Sequence, residues 1–583
     1  MNRRDCIRLT AAGLLSGGAL ALLQACTPAT PAAPKPSAAS SAAGTPPKPT
    51  GVFPTFIPAG NGPKPDFASA GPQYEDGFSN FPSTNPKSWT RSPPGLGSNV
   101  AIFSQARGVG GNVPPTPIDQ NPAWKEINKQ LNASVSFNVA PAADYGTKLA
   151  AIMAGADLPD IILFQGGLGG TNATSSTVGA SATTNLPAFL QHSMADLTPY
   201  LGGDAVKDYP NLAAIPTFAW KNSGCAYNGQ LFMWPVERYR PLNMMFRNTA
   251  IWDTEIGANY VPKNADDFKR VLQQLNRPKE DRYALVGVNI QYNLQVFPSM
   301  FGAPNNWAVD SGGKLTKDIE TPQYREAVGY IRDLLAAGLY QPDFVTNIAS
   351  ATSTAAVNSF AAGKGAAIVY TFGVNWSTLW TQCQAAKPAV NFLPIGLFPA
   401  HDGGTAGHFL GPGFIVTNGM KKAPPERIQE VLRLVDWMAA PFGSQEDLLL
   451  TYGLKDVEYT LDAAGHPVLM QGKSADTQAV PWQYVVQHPQ VMFFPNYADY
   501  ARLEYEAEHM LVPAGIEDPT WGLFSPAAST VGPSASQLVL DTLTDIIVGR
   551  RDLSEYDQMV KDWQTKGGNQ VRTELQQALA AAA

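Results

Sequence analysis

Cysteine and histidine are scarce in this chain. Four Cys among 583 residues exclude the disulfide scaffold of small secreted domains. The six His are scattered, and neither His-Glu-x-x-His, Gly-x-Ser-x-Gly nor Cys-x-x-Cys occurs, so the common hydrolase and metal signatures are missing. His401 and His408 stand too far apart to share a metal on one helix face. The lone Asp of Asp310-Ser311-Gly312-Gly313-Lys314 suits a hairpin turn, not a calcium loop. Neither a metal nor a cofactor is expected. Charge is sparse as well, at 15% of residues, and basic side chains (41) are outnumbered by acidic ones (48). A net charge of −7 and a pI near 5.5 leave no concentrated basic face for nucleic acid. The apolar run over residues 9–23 is shorter than the roughly 20 residues a spanning helix needs.

What is present points to a large exported α/β protein. Such a length exceeds what one hydrophobic core serves, so at least two lobes are expected. The 12 Trp and 20 Tyr exceed a core's ordinary needs and suit a site that stacks flat ligands. The chain opens Met1-Asn2-Arg3-Arg4-Asp5-Cys6-Ile7-Arg8, followed by the short apolar stretch and small residues, the pattern of an export signal over residues 1–25. Arg3-Arg4 resembles a twin-arginine motif, with an ordinary secretory signal as the alternative. Leu23-Gln24-Ala25-Cys26 resembles a bacterial lipobox, which implies a lipid on Cys26 and membrane anchoring through that lipid. Residues 27–50 are Pro, Ala, Ser, Thr and Gly apart from Lys35 and Lys48, too polar and small to offset the entropy of ordering them. Pro and Gly continue to residue 96, so residues 26–96 are read as a flexible tether.

Beyond residue 97, strand and helix patterns alternate. Residues 100–104 form an apolar run. Asn121-Pro122 supplies an N-cap and a first-turn proline, and Trp124, Ile127 and Leu131 share one helix face. Residues 134–139 alternate as a strand does. Tyr145, Leu149, Ile152 and Met153 make the next helix stripe, and Asp160-Ile161-Ile162-Leu163-Phe164 reads as a buried strand. This β-α-β-α-β order requires parallel strands with right-handed crossovers. Gln165-Gly166-Gly167-Leu168-Gly169-Gly170 follows the third strand, where open α/β sheets bind ligands. Its glycine spacing fits neither phosphate loop nor dinucleotide fingerprint. Helices are also expected near residues 425–440 and from Leu538 to about Gly549, as core faces.

Seven segments resemble extracellular solute-binding proteins of bacterial ABC importers, in the order that family requires. They are Asp157-Leu158-Pro159-Asp160-Ile161-Ile162, Asn228-Gly229-Gln230-Leu231-Phe232-Met233-Trp234-Pro235, Pro262-Lys263-Asn264-Ala265-Asp266-Asp267-Phe268, Phe360-Ala361-Ala362-Gly363-Lys364-Gly365-Ala366-Ala367-Ile368, Gly373-Val374-Asn375-Trp376, Gly411-Pro412-Gly413-Phe414-Ile415-Val416, and Tyr452-Gly453-Leu454-Lys455-Asp456-Val457-Glu458-Tyr459-Thr460. The last departs from the family at Lys455-Asp456, which leaves the subfamily open. The resemblance implies two α/β lobes, each a mostly parallel sheet flanked by helices, with a ligand cleft between them that closes by a hinge. Lobe 1 is expected at residues 97–239 plus 412–475, and lobe 2 at 240–411 plus 476–583. It also implies an oligosaccharide ligand, such as a plant-polysaccharide fragment, ABC permease subunits as membrane partners, and a monomer that performs no chemistry.

A sugar site needs aromatic platforms and polar groups. The expected ligand-binding residues are Gln165, Trp234, Glu237, Arg240, Asn306, Trp307, Tyr370, Asn375, Trp376 and Trp521. The resemblance implies that Trp376 faces the ligand. For the others, lobe-core packing is the competing reading, with Glu237 and Arg240 as an ion pair. Two further functions stay open: a glycan hydrolase, which needs two facing carboxylates, and a passive surface lipoprotein. Cys225 and Cys383 remain after signal removal, as a disulfide or as two buried thiols.

Overall fold

A computed structural model describes residues 51–106, 114–168, 185–347, 354–495, 497 and 499–582. The export signal, Cys26, residues 27–50 of the tether and Gly169-Gly170 lie outside the described residues. No described helix is long and apolar enough to cross a membrane.

The expected opening elements form. Asn121 Oδ1 accepts the Trp124 N–H at 2.9 Å and Pro122 occupies the first turn of the Pro122–Leu131 helix. Trp124, Ile127 and Leu131 are buried on its inner face. The Tyr145–Ala154 helix ends at Gly155. The Asn99–Gln105 strand runs parallel to Ser134–Ala140 and to Ile161–Gln165. The sheet is completed from far along the chain, because Phe414–Met420 inserts antiparallel between Ile161–Gln165 and Met233–Glu237. A strand that returns from another lobe needs no crossover helix, so it is free to pair antiparallel.

A second sheet has the order Phe392–Pro394, Asn243–Asn248, Gly365–Thr371, Tyr283–Val286. Alternate residues along its strands serve opposite faces, as the pleat demands. Met244, Phe246, Ile368 and Tyr370 enter one apolar cluster, whereas Met245, Ala367 and Val369 enter another. The first sheet has its own core. The Pro425–Met438 helix packs its apolar face there and Gly532–Ile547 packs against the second sheet's core.

Two expectations are corrected. Val480, Trp482, Val485 and Val486 lie in the first lobe's core, so the return to the second lobe falls after Val486, not at residue 476. Trp482 makes edge contacts with Trp124 and Phe137 at 6.0 and 4.9 Å. Second, residues 51–96 are not a free tether. Phe78, Phe81 and Trp89 are buried, Ile57 N–H donates to Ala213 O at 2.8 Å, and the Glu446 carboxylate accepts the N–H groups of Ser88 and Trp89, each at 2.9 Å. Composition misleads here because an irregular segment is ordered by side chains and carboxylates of remote parts of the chain, which its own residues do not reveal.

Candidate functional site

Among the described residues, segments 237–243, 410–414 and 486–495 lead from one core to the other. The first two pair with each other. Arg238 N–H donates to Gly413 O at 3.1 Å and Gly411 N–H to Arg240 O at 2.6 Å. The buried His408 ring takes the Leu242 N–H on Nε2 at 3.1 Å. Burial holds its pKa down at about 3, so the ring is neutral and able to accept. Gly413 sits at φ +81° with the Phe218 ring 2.2 Å from where a Cβ would stand. Only glycine fits that position.

At the same end of the first sheet lie the strand ends that face the second lobe. Gln165 is half-buried and its amide bonds the Gln105 side chain. Arg240 lies in the crossing segment with 1% of its surface exposed. Its Nε donates to Gly411 O and an Nη donates to Glu517, both at 2.8 Å. Its guanidinium lies 4.6 Å from the Phe218 ring and 5.4 Å from the Trp521 ring. Phe218 belongs to the first lobe's Thr217–Asn222 helix. Glu517 and half-buried Trp521 belong to a loop tied to the second lobe, where Asn306 Nδ2 donates to Asp518 at 2.6 Å and Asn305 Nδ2 to Ile516 O at 2.8 Å. That loop reaches the first lobe: the Phe524 and Tyr227 rings are 6.4 Å apart, and a Cβ on Gly522 would stand 2.1 Å from Lys221 O. Arg240, Phe218, Trp521 and Glu517 thus unite a charge, two rings and a carboxylate across the hinge.

The remaining expected site residues divide. Glu237 ends the Met233–Glu237 strand, where its carboxylate accepts the Gln490 N–H at 2.7 Å. Burial raises its pKa to about 7 against the pull of that hydrogen bond and of Arg238, His488 and Arg240. It forms no ion pair with Arg240, whose partner is Glu517. Asn375 is half-buried in the first turn of the Val374–Ala385 helix. Asn306, at φ +63°, is spent on Asp518 and on Lys317, whose Nζ donates to its Oδ1 at 2.8 Å. Four residues are core, not platforms. Trp234 is buried with its indole N–H on Val485 O at 2.8 Å. Trp307 is buried 5.9 Å from Trp563. Tyr370 points into the second sheet's core. Trp376, 0% exposed, meets Phe246 edge-on at 4.9 Å and Tyr500 at 6.1 Å. The glycine before Trp376 fixes the turn, but the helix phase carries its ring inward. Phe218, Gln105 and Glu517, which complete this group, were not among the expected residues, and no local sequence signal marks them. Cys225 and Cys383 are free and buried in separate cores. Among the described residues no cluster of three or more His, Cys, Asp or Glu is placed to hold a metal ion.

Two mixed α/β lobes joined by crossing segments define the class of two-lobed binding proteins. The chain belongs to the bacterial extracellular solute-binding protein family, whose model matches residues 123–457. It is 24% identical over 491 residues to lipoprotein LipO of Bacillus subtilis (strain 168), covering 79% of this chain and 89% of that protein. It is likewise 24% identical over 489 residues to the polygalacturonan/rhamnogalacturonan-binding protein YtcQ of the same organism, covering 79% and 88%. Among solved structures it resembles an HMO-binding, ABC-transporter-associated solute-binding protein from Bifidobacterium longum infantis, with TM-score 0.58, 12% identity and coverage of 83% of this chain and 99% of that one.

Proposed function

We propose that this protein captures an oligosaccharide between its lobes and delivers it to the permease subunits of an ABC importer. A lipid on Cys26 holds it to the outer face of the membrane. The observation that carries this reading is the Arg240–Phe218–Trp521–Glu517 group, which spans the hinge. Aromatic faces accept the C–H surface of a sugar, while the exposed Glu517 carboxylate, which buried Arg240 holds in place, and the Gln105–Gln165 amides accept from or donate to its hydroxyls. A ligand held by both lobes binds the closed state more tightly, which is what a hinge needs to be biased. The relative that binds polygalacturonan and rhamnogalacturonan supports plant-polysaccharide fragments as the ligand class.

The test is a melting-temperature screen of the full chain against neutral and uronic-acid oligosaccharides. A ligand that binds only the folded state stabilises it by about 2.7 kcal/mol at a hundred times its Kd. An upward shift with at least one oligosaccharide is expected. No shift across sugars and peptides overturns the reading in favour of a passive lipoprotein, and release of reducing ends would make the protein a hydrolase.

A further inference from the structure

Residues 51–89 pass from one lobe to the other and back. Thr55 N–H donates to Gly203 O at 3.0 Å on the first lobe. The chain then lies along the Tyr500–Leu511 helix, where the Phe67 ring is 5.5 Å from Tyr505 and the Tyr74 ring 4.6 Å from His509. Glu75 N–H donates to the Glu508 carboxylate at 3.1 Å. That helix buries Tyr500, Ala507 and Leu511 against the second sheet. Asp76–Gly77 next pairs with Val491–Met492 of the third crossing segment, and Phe78 and Phe81 pack on Phe442 at 4.8 and 5.4 Å. Residues 66–78 therefore form a strap over the hinge, stitched to the second lobe chiefly through one helix.

At that stitch lie three carboxyl groups, Glu75, Glu504 and Glu508, exposed by 7, 2 and 0%. One oxygen of each, Oε2 of Glu75 and Oε1 of Glu504 and Glu508, has no hydrogen-bond partner among the described residues. Glu504 accepts from the Gly373 N–H, and the neighbouring Tyr500 hydroxyl donates to Gly373 O at 3.1 Å. The crossing segment adds Glu237, Arg238 and Tyr239, and the helix itself adds Tyr500, Tyr505 and His509. The Arg238 guanidinium pulls against the rise at Glu75. Charging such a group costs far more than leaving it protonated.

We propose that the Glu75–Glu504–Glu508 contact is a proton-dependent latch. It ties the strap to the second lobe while the carboxyls keep their protons and releases it when they ionise. Burial first, then mutual repulsion, raises Glu75 well above an ordinary glutamate. Burial raises Glu508 likewise and takes Glu504 to about 8. Because the folded values lie above the unfolded one, the latch's contribution is complete below about pH 4.5 and falls progressively above it, with Glu504's share lost as pH rises through about 8. The strap is thus held most firmly in acidic surroundings, less so at neutral pH and least in alkaline ones, while the first lobe keeps its own end.

Amide hydrogen exchange on the full chain, corrected for the intrinsic pH dependence, tests this. Between about pH 6 and pH 9, protection at Phe67 and Glu75 should fall by about tenfold or more. The Ile161–Gln165 and Phe414–Met420 strands should hold theirs. The Glu75→Gln/Glu508→Gln variant, which keeps shape but cannot charge at those two positions, should show less than about half the logarithmic loss. If that variant does not fold, Glu75→Gln alone, on the strap itself, should still reduce the loss. The proposal is overturned if wild-type protection is flat to about pH 9, if both lobes lose protection together, or if the Gln variants keep the wild-type slope.

Discussion

Replacing Trp376 with alanine separates a core role from a ligand role. The ring is 0% exposed and ringed by Phe246, Phe372, Phe392 and Tyr500 at 4.9 to 6.5 Å. A Trp side chain hides about 150–250 Å², which at about 25 cal/mol/Å² is about 4–6 kcal/mol. Measured Trp→Ala costs in cores run about 3–5 kcal/mol, because the cavity relaxes in part. For a cooperative unit of lobe size this lowers Tm by about 6–20 °C. Trp521→Ala removes a half-buried ring that packs on Arg240 from the second lobe, so it should cost at most about 1–2 kcal/mol. Denaturant unfolding gives both stabilities, and ligand-induced Tm shifts give both binding responses. Trp376→Ala should be the unstable variant whose surviving folded fraction still responds to ligand. Trp521→Ala should be stable with a weakened response. A Trp376→Ala protein of wild-type stability and no response would refute the packing argument.

Two further outcomes follow from the same geometry. Gly522→Ala places a Cβ 2.1 Å from Lys221 O at φ +76°, so the 517–524 loop must lift from the first lobe. X-ray scattering should record a larger radius of gyration, and an unchanged one would dissociate this contact from lobe position. Cys225 and Cys383 are free and buried, and burial pushes the Cys383 thiol up to about 12 and Cys225 higher still. Neither should react with a thiol reagent at neutral pH until the chain is unfolded, and rapid native labelling of either would contradict their burial.

Local signals carried much of the fold. Asn121-Pro122 capped a real helix, the 160–164 run became a central strand, and Asp310 turned a hairpin by accepting the N–H groups of Gly312 and Lys314, both at 2.9 Å. These are decided within a few residues by backbone hydrogen bonding and side-chain period, which sequence displays directly. The candidate site was less legible. Trp521 and Arg240 were named as ligand residues, and they meet each other. Trp234, Trp307 and Tyr370 were named on the same grounds and Trp376 on the resemblance, and all four turned inward. An aromatic beside a strand end has the same composition whether it faces the cleft or the core, and helix or strand phase at a lobe's edge makes the choice.

Sequence alone indicated more than one lobe from length and an α/β opening from strand and helix periods, and the resemblance carried by seven ordered segments implied the two-lobed plan, since all of these are properties of the chain taken in order. Tertiary structure alone decided that Glu517 and not Glu237 neutralises Arg240. It also turned a Pro- and Gly-rich stretch into a strap and brought Glu75 against Glu508. Those pairings join positions far apart in the chain, and they are set by which buried charge or ring finds a partner once two cores have formed, not by any preference of the residues themselves.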